Sequence, residues 1–263
     1  MYNIKKSKDG RTIKVTKSTG LQCIGKLESC SGREKGLSIF VDSSIGCDFG
    51  CNYCWLSREP RRKEIHVIEN IEIIEKCIDQ FEDEHDIYLK FMGQGDAMAN
   101  KFKTEYIVNH FKRISNLKGV SISTIFPKDE DNTFIPCLTL GAPMKVYISV
   151  GSFDPSIRKS ILPNALELDK SIQILKNNRL DINLHYTPVF FNSVVEMSAI
   201  GNFLMNEKVD FLRIIPYNTP NGPKIKREFL DNIKDLITRY NTKCDILPYI
   251  GGDIAASCGM FEL

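Results

Sequence analysis

Residues 37–54 read LSIFVDSSIGCDFGCNYC. The first six of them form a short run rich in apolar and β-branched side chains, the pattern of a buried strand. A polar turn follows, and then three cysteines, Cys47, Cys51 and Cys54, spaced Cys-x3-Cys-x2-Cys. So short a loop can wrap three thiolates around one inorganic core. Thiolates are soft ligands that suit iron–sulfur clusters and zinc. A cubane cluster normally takes four cysteines, so a compact set of three leaves one iron open to a substrate or cofactor. Zinc would need a fourth ligand, for which Cys258 or a histidine could serve, and it more often shows paired Cys-x2-Cys units. A chance grouping of buried structural cysteines is the third reading.

Working outward, the run at 37–42 is the first of a series. Similar runs occur at 87–92, 119–124, 145–150, 181–187, 210–215 and 243–247. Between them lie longer amphipathic stretches. In 65–81, Ile65, Ile68, Ile71, Ile74, Ile78 and Phe81 recur at helical spacing, and further helices are predicted at 102–115, 166–178, 194–206 and 225–240. Asn164 and Asn192–Ser193 are the predicted N-caps of the third and fourth. Strand and helix alternating about six times predict an α/β fold with a parallel sheet and right-handed crossovers. Six units are too few for an eight-unit barrel, which leaves a partial (βα)6 barrel. Residues 1–35, rich in Lys, Ser and Gly, are predicted to form a small extension, a β-hairpin, ahead of a barrel over 36–263 with a cysteine-containing tail. Parallel α/β folds carry their sites at the C-terminal ends of the strands, and each motif here falls just after one.

Composition narrows the class. Of 263 residues, 42% are hydrophobic and 26% charged, the balance of a globular domain rather than a disordered or fibrous chain. No apolar run reaches the ~18–20 residues that span a bilayer. The first residues, MYNIKKSKDGRTIKV, are basic with no apolar core behind them, so a cytoplasmic protein without membrane contact is expected. Thirty-five Lys and Arg against 33 Asp and Glu give +2, so no global field calls for nucleic acid. Nine cysteines, an odd number without an export signal, favour metal binding or catalysis over a disulfide framework.

The cysteine spacing, with the aromatic Tyr53 before the last cysteine, resembles the radical S-adenosylmethionine (SAM) superfamily. That resemblance implies a [4Fe-4S] cluster on Cys47, Cys51 and Cys54. The open iron would chelate SAM, and an electron from an external flavodoxin- or ferredoxin-like donor would yield a 5′-deoxyadenosyl radical. Tyr53 would lie against the adenine, with a packing aromatic as the alternative.

Further segments resemble, in order, the RlmN/Cfr family of RNA adenine methyl synthases, over roughly residues 20–263. Gly93-Gln94-Gly95-Asp96-Ala97 resembles that family's Gly-x-Gly-Glu-Pro, and Gly95 and Asp96 would meet the SAM methionine group; a tight turn is the alternative. Ser121-Ile122-Ser123-Thr124, Tyr147-Ile148-Ser149-Val150-Gly151 with Arg158 and Pro163, and Ile214-Ile215-Pro216-Tyr217-Asn218 resemble three more segments, which implies SAM contacts by Ser123, Ser149 and Asn218. The end, Gly251-Gly252-Asp253-Ile254-Ala255-Ala256-Ser257-Cys258-Gly259-Met260, resembles the segment whose cysteine carries a methyl group to the adenine, which implies a catalytic Cys258.

Other positions depart from the family. Phe40 stands where its second catalytic cysteine falls, and Gln22 stands near its glutamate base, with Glu28 close by. Leu247 and Ile250 replace arginines, and the family's N-terminal accessory domain is absent from this sequence. Cys30, or Cys23, could supply the missing thiol, against the reading of both as ordinary cysteines; Cys77, Cys137 and Cys244 read as structural. Arg58, Arg61, Arg62 and Lys63, and Lys224, Lys226 and Arg227, read as solvated faces or as the rim of a nucleotide site. His185 sits on a strand and reads as a satisfied core histidine or one pointing into the barrel. The leading expectation is Cys-mediated radical methyl transfer to a nucleic-acid or nucleotide-like substrate. The alternative is direct hydrogen abstraction from a small molecule or peptide.

Overall fold

The computed structural model describes residues 1–27, 36–58, 62–83, 85–114, 116–132, 135, 141, 143–189, 194–217, 225–248 and 251–256. Its ten strands lie in one sheet in chain order. Strands β1 (Tyr2–Lys6), β2 (Thr12–Lys17) and β3 (Gln22–Leu27) form an antiparallel meander, and β3 pairs antiparallel with β4 (Leu37–Val41). The N-terminal segment therefore has one strand more than a hairpin and continues the main sheet.

From β4 every pairing is parallel, through β5 (Ile87–Phe91), β6 (Leu117–Thr124), β7 (Met144–Ser149), β8 (Asn183–Tyr186), β9 (Phe211–Ile214) and β10 (Lys243–Ile246). The helices are α1 (Val67–Ile78), α2 (Lys101–Ile114), α3 (Pro155–Ile161), α4 (Leu168–Asn177), α5 (Val194–Asn206) and α6 (Arg227–Arg239). Helix α3 is an addition to the sequence reading. Asp154 caps it, accepting from Ser156 and Ile157 N–H, and Pro155 takes its first turn. Asn164 is not the cap of α4. That position is Glu167, with no side-chain cap bond, and Asn164 instead donates from Nδ2 to the Phe49 carbonyl at 3.2 Å. Residues 192–193 lie outside the described residues.

Alternation along the strands gives the sheet two unlike faces. Ile39, Val41, Leu89, Phe91, Val146, Ile148, Leu184 and Leu212 are buried on the helix side, in one core with α1 and α2 and another with α4, α5 and α6. The opposite face is polar: the register aligns Phe40 with Lys90, Lys90 with Ser121, Ser149 with His185, His185 with Arg213 and Arg213 with Asp245. Parallel strands buried on both faces are usually apolar throughout, so a polar inner face marks a working surface.

The sheet curls until its two edges are joined. Lys8 N–H donates to Asp253 Oδ2 at 2.9 Å and Lys14 Nζ donates to the Ala255 carbonyl at 3.1 Å, tying the segment after β10 to the first hairpin. The result is a partial α/β barrel with its parallel strands β4 to β10 in chain order.

Candidate cofactor site

A cleft of about 150 Å³ opens at the C-terminal ends of β4 to β9. Cys47, Cys51, Cys54, Tyr53, Gly95, Asp96, Ser123 and Ser149 all line it. Eight residues, from the loops after β4 and β5 and from the ends of β6 and β7, thus meet in one place. Asn218 and Cys258 lie outside the described residues, as do Glu28, Cys30, Arg61, Cys137, Lys224 and Ile250.

The cysteine loop is held by its backbone. Gly46 and Gly50 turn with φ of 72° and 67°, Cys54 N–H donates to the Cys51 carbonyl at 2.9 Å, and Asn52 N–H donates to the Ile161 carbonyl at 2.9 Å. The three thiols are free and partly buried. Burial pushes Cys47 up to about 12, and raises Cys51 and Cys54. Such thiols become thiolates only beside a strong positive charge, which iron supplies. Among the described residues no three His, Cys, Asp or Glu side chains converge on one point as a single ion would need. A cubane would take each of three cysteines on a separate iron.

Two glycines let the β4 and β5 loops touch. A Cβ on Gly93 would lie 2.2 Å from Asp42 Oδ1, and one on Gly95, whose φ is +78°, would lie 2.2 Å from Ser44 Oγ. Between them Gln94 is fully buried and fully used. Its Oε1 accepts from Gly46 N–H at 2.8 Å, and its Nε2 donates to Asp42 Oδ2 and to the Gly20 carbonyl, both at 2.9 Å. Asp42 also accepts from Gln22 N–H at 2.9 Å. Burial raises its carboxyl to about 7.

Asp96 lines the cleft, yet its carboxylate is already engaged. Oδ1 accepts from Met98 N–H at 2.9 Å, and Oδ2 accepts from Thr124 Oγ1 and Ile125 N–H, both at 3.0 Å. Burial raises it to about 6. A carboxylate has about four acceptor positions, so one remains for a ligand. Asp96 is therefore first the tie between the ends of β5 and β6.

Arg158 is 5% exposed and bonds the carbonyls of Ser149 at 2.7 Å, of Val150, and of Leu166 at 3.2 Å, fixing the loop after β7. Asp42 and Gln94 are positioning residues that sequence reasoning missed. The available signals were an aspartate ending an apolar strand and a glutamine between two glycines. Of the basic runs, Arg227 pairs with Asp231 at 3.1 Å as a solvated face does, whereas Arg62 is partly buried and donates to Glu64 at 2.7 Å and to Asn100 at 3.2 Å. Cys23 and Cys77 are buried free thiols joined by a hydrogen bond. His185 lines the barrel interior and is not fully satisfied: Nδ1 lies 3.0 Å from Ser123 Oγ, but Nε2 has no partner.

No family model matches the chain. It is 21% identical over 248 residues to a probable dual-specificity RNA methyltransferase RlmN of Streptococcus pneumoniae serotype 4, covering 86% of this chain and 68% of that protein. It is 22% identical to the RlmN of Campylobacter hominis, covering 97% and 75%. In structure it resembles a radical SAM methyltransferase from Sphaerobacter thermophilus, with a TM-score of 0.82, 16% identity and coverage of 99% and 80%. It also resembles a queuine lyase from Clostridium spiroforme bound to SAM and queuine, at a TM-score of 0.55, 17% identity and coverage of 87% and 95%. Among the described residues no helix is long and apolar enough to cross a membrane.

Proposed function

We propose that this radical SAM, RlmN-like enzyme transfers a methyl group through Cys258 to a nucleotide-like substrate, using a [4Fe-4S] cluster on Cys47, Cys51 and Cys54. The observation that supports this reading is the convergence of those three thiols with Tyr53, Gly95, Asp96, Ser123 and Ser149 on one cleft. When bound, the cluster would supply the electron that cleaves SAM. The chain's own residues do the rest. Gly93 and Gly95 bring backbone against the ligand, the free acceptor position of Asp96 suits an ammonium group, and Ser123 and Ser149 offer hydroxyls to the ribose side. Tyr53 and Ile215 wall the cleft against water.

Cys258 follows Ala256 by two residues, and Ala256 lines the barrel interior. That proximity in sequence supports a thiol that takes a methyl from SAM and offers it to a substrate inside. RNA is the substrate in the names of the RlmN relatives, and an external electron donor is required.

The test is anaerobic reconstitution followed by mass spectrometry. About four iron and four sulfide per chain are expected, lost on replacing Cys47, Cys51 and Cys54 by Ala. A methyl group on Cys258 is expected after incubation with SAM. Stoichiometric zinc in the active protein would overturn the cluster, and an unmodified Cys258 with SAM still cleaved would overturn methyl transfer. The second reading, direct hydrogen abstraction, would then stand. It draws support from Phe40, which puts a phenyl ring rather than a thiol on the inner wall.

A further inference from the structure

Arg158 is a buried cation whose hydrogen bonds all go to carbonyls. Nη1 donates to Ser149 and Val150, Nη2 donates to Leu166, and Nε has no partner. Carbonyls are dipoles and balance a full charge only in part. Among the described residues the two titratable groups that favour the charge are Tyr53 and Cys51, both on the cysteine loop. Burial pulls the guanidinium down to about 10, so it stays charged at neutral pH. Burying a charge is costly unless another charge compensates it.

The helix that carries Arg158 is built into the cysteine loop. Asn52, between Cys51 and Tyr53, donates its backbone N–H to the Ile161 carbonyl at 2.9 Å and its side-chain amide to the Ser160 carbonyl. Phe49, Cys51 and Tyr53 pack with Ile157, Ile161 and Leu162. These contacts come from residues on both sides of Arg158, so its place beside the loop is fixed. On the other side it holds the carbonyl of Ser149, which lines the cofactor cleft. Arg158 therefore acts on the cleft by its charge and not by touching a ligand.

Three thiolates on an oxidised [4Fe-4S] core leave a single net negative charge, and the electron that reduces the core doubles it. A fixed positive charge in a poorly polarisable surrounding stabilises the reduced state more than the oxidised one. Charge near a cluster is one of the levers that set its potential.

We infer that Arg158 is the buried counter-charge of the cluster: from beside the cysteine loop, its guanidinium raises the cluster's reduction potential and eases uptake of the electron that SAM cleavage requires. The inference rests on the cluster of the proposed function and is independent of whether methyl transfer or hydrogen abstraction follows.

The experiment is potentiometric reduction of the reconstituted protein without SAM, with dithionite as the electron source and the electron paramagnetic resonance of the reduced cluster as the readout. Arg158→Gln keeps a hydrogen-bond donor and removes the charge. Its one-electron reduction equilibrium should fall about tenfold or more, a downward shift of about 59 mV or more. Arg158→Lys alters the hydrogen bonds, keeps the charge and should stay within about threefold of the wild type, about 28 mV. A cluster-loaded Arg158→Gln at the wild-type potential would overturn the inference. So would Arg158→Lys falling as far as Arg158→Gln, because that is what loss of loop support alone would give. Should Arg158→Gln hold no cluster, the wild type decides through nuclear magnetic resonance of protein carrying guanidino-carbon-labelled arginine. The resonance that Arg158→Lys lacks should broaden when the cluster is reduced, and one that stays sharp would put Arg158 too far away to act. A wild type that takes up no iron would sink the cluster itself, and this inference with it.

Discussion

Gln94 grips Asp42 twice: its backbone N–H donates to Oδ1 at 2.8 Å and its side-chain Nε2 to Oδ2 at 2.9 Å. The same side chain accepts from Gly46 N–H, next to the first cluster-loop cysteine, and donates to Gly20. One buried amide thus fixes the cysteine loop to the end of β4 and to the β2–β3 turn.

Replacing Gln94 by Leu should loosen the cysteine loop. Gly46 N–H loses its acceptor, Gly20 and Asp42 lose a donor, and each buried group left unpaired costs ~1–3 kcal/mol. Urea unfolding should show a loss of several kcal/mol, and iron content after reconstitution should fall. Full iron occupancy in a variant of unchanged stability would remove Gln94 from the scaffold.

Gly95→Ala should be strongly destabilising for two separable reasons. Its φ of +78° costs an L side chain ~1–2 kcal/mol, and the new Cβ collides with Ser44 Oγ. Adding Ser44→Ala removes the nearest atom, Oγ, but leaves Ser44 N at 3.0 Å, its Cβ at 3.2 Å and the dihedral, so thermal melts should show partial rescue. Full rescue, or none, would refute this division.

Asp96→Ala should lower stability as well as SAM affinity. Two buried backbone N–H groups and the Thr124 hydroxyl lose their acceptor, a loss of ~2–4 kcal/mol. Asp96→Asn keeps one oxygen and should lose less. An unchanged urea midpoint for the alanine variant would contradict the tie between β5 and β6.

Asp42 should make the apo protein's stability depend on pH. Its carboxyl titrates near 7 when folded, above its ordinary value of 3.8. The folded state therefore holds the proton more tightly, and this contribution is present below about pH 4 and lost as pH rises through 7. Asp42→Asn cannot titrate. The wild type should thus become less stable relative to the variant as pH rises from 4 to 8, as urea unfolding at each pH would measure. A difference that stays constant with pH would mean that Asp42 does not titrate in that interval.

The strands and helices of the barrel were legible because their apolar periodicity is strong: 65–81 contains α1 and 243–247 contains β10. The cleft-lining residues after β4 and β5 stood out because cysteines, and glycines beside a carboxylate, are conspicuous at strand ends, whereas Ser123 and Ser149 were marked by the resemblance alone. The third N-terminal strand was not, since a meander and a hairpin share the same polar, Gly-punctuated composition. Helix α3 was missed because seven residues are too short to show a period, although Asp154-Pro155 is an N-terminal signal. The dual duty of Asp96 depends on Thr124 and Ile125, 28 and 29 residues away, and that is a tertiary fact.

The strict chain order of the sheet has a consequence for biosynthesis. Each strand can dock on the one made just before it, so no early edge waits for a late partner. The cysteine loop is made before the segment carrying Asp253 and Ala255, which fastens the end of the sheet to the first hairpin. The proposed cluster would thus find a half-made, open trough before residues 251–256 latch it. A chain ending at residue 248 should still take up iron while showing faster loss of the cluster to a chelator, and equal rates in the two chains would show that the latch does not guard it.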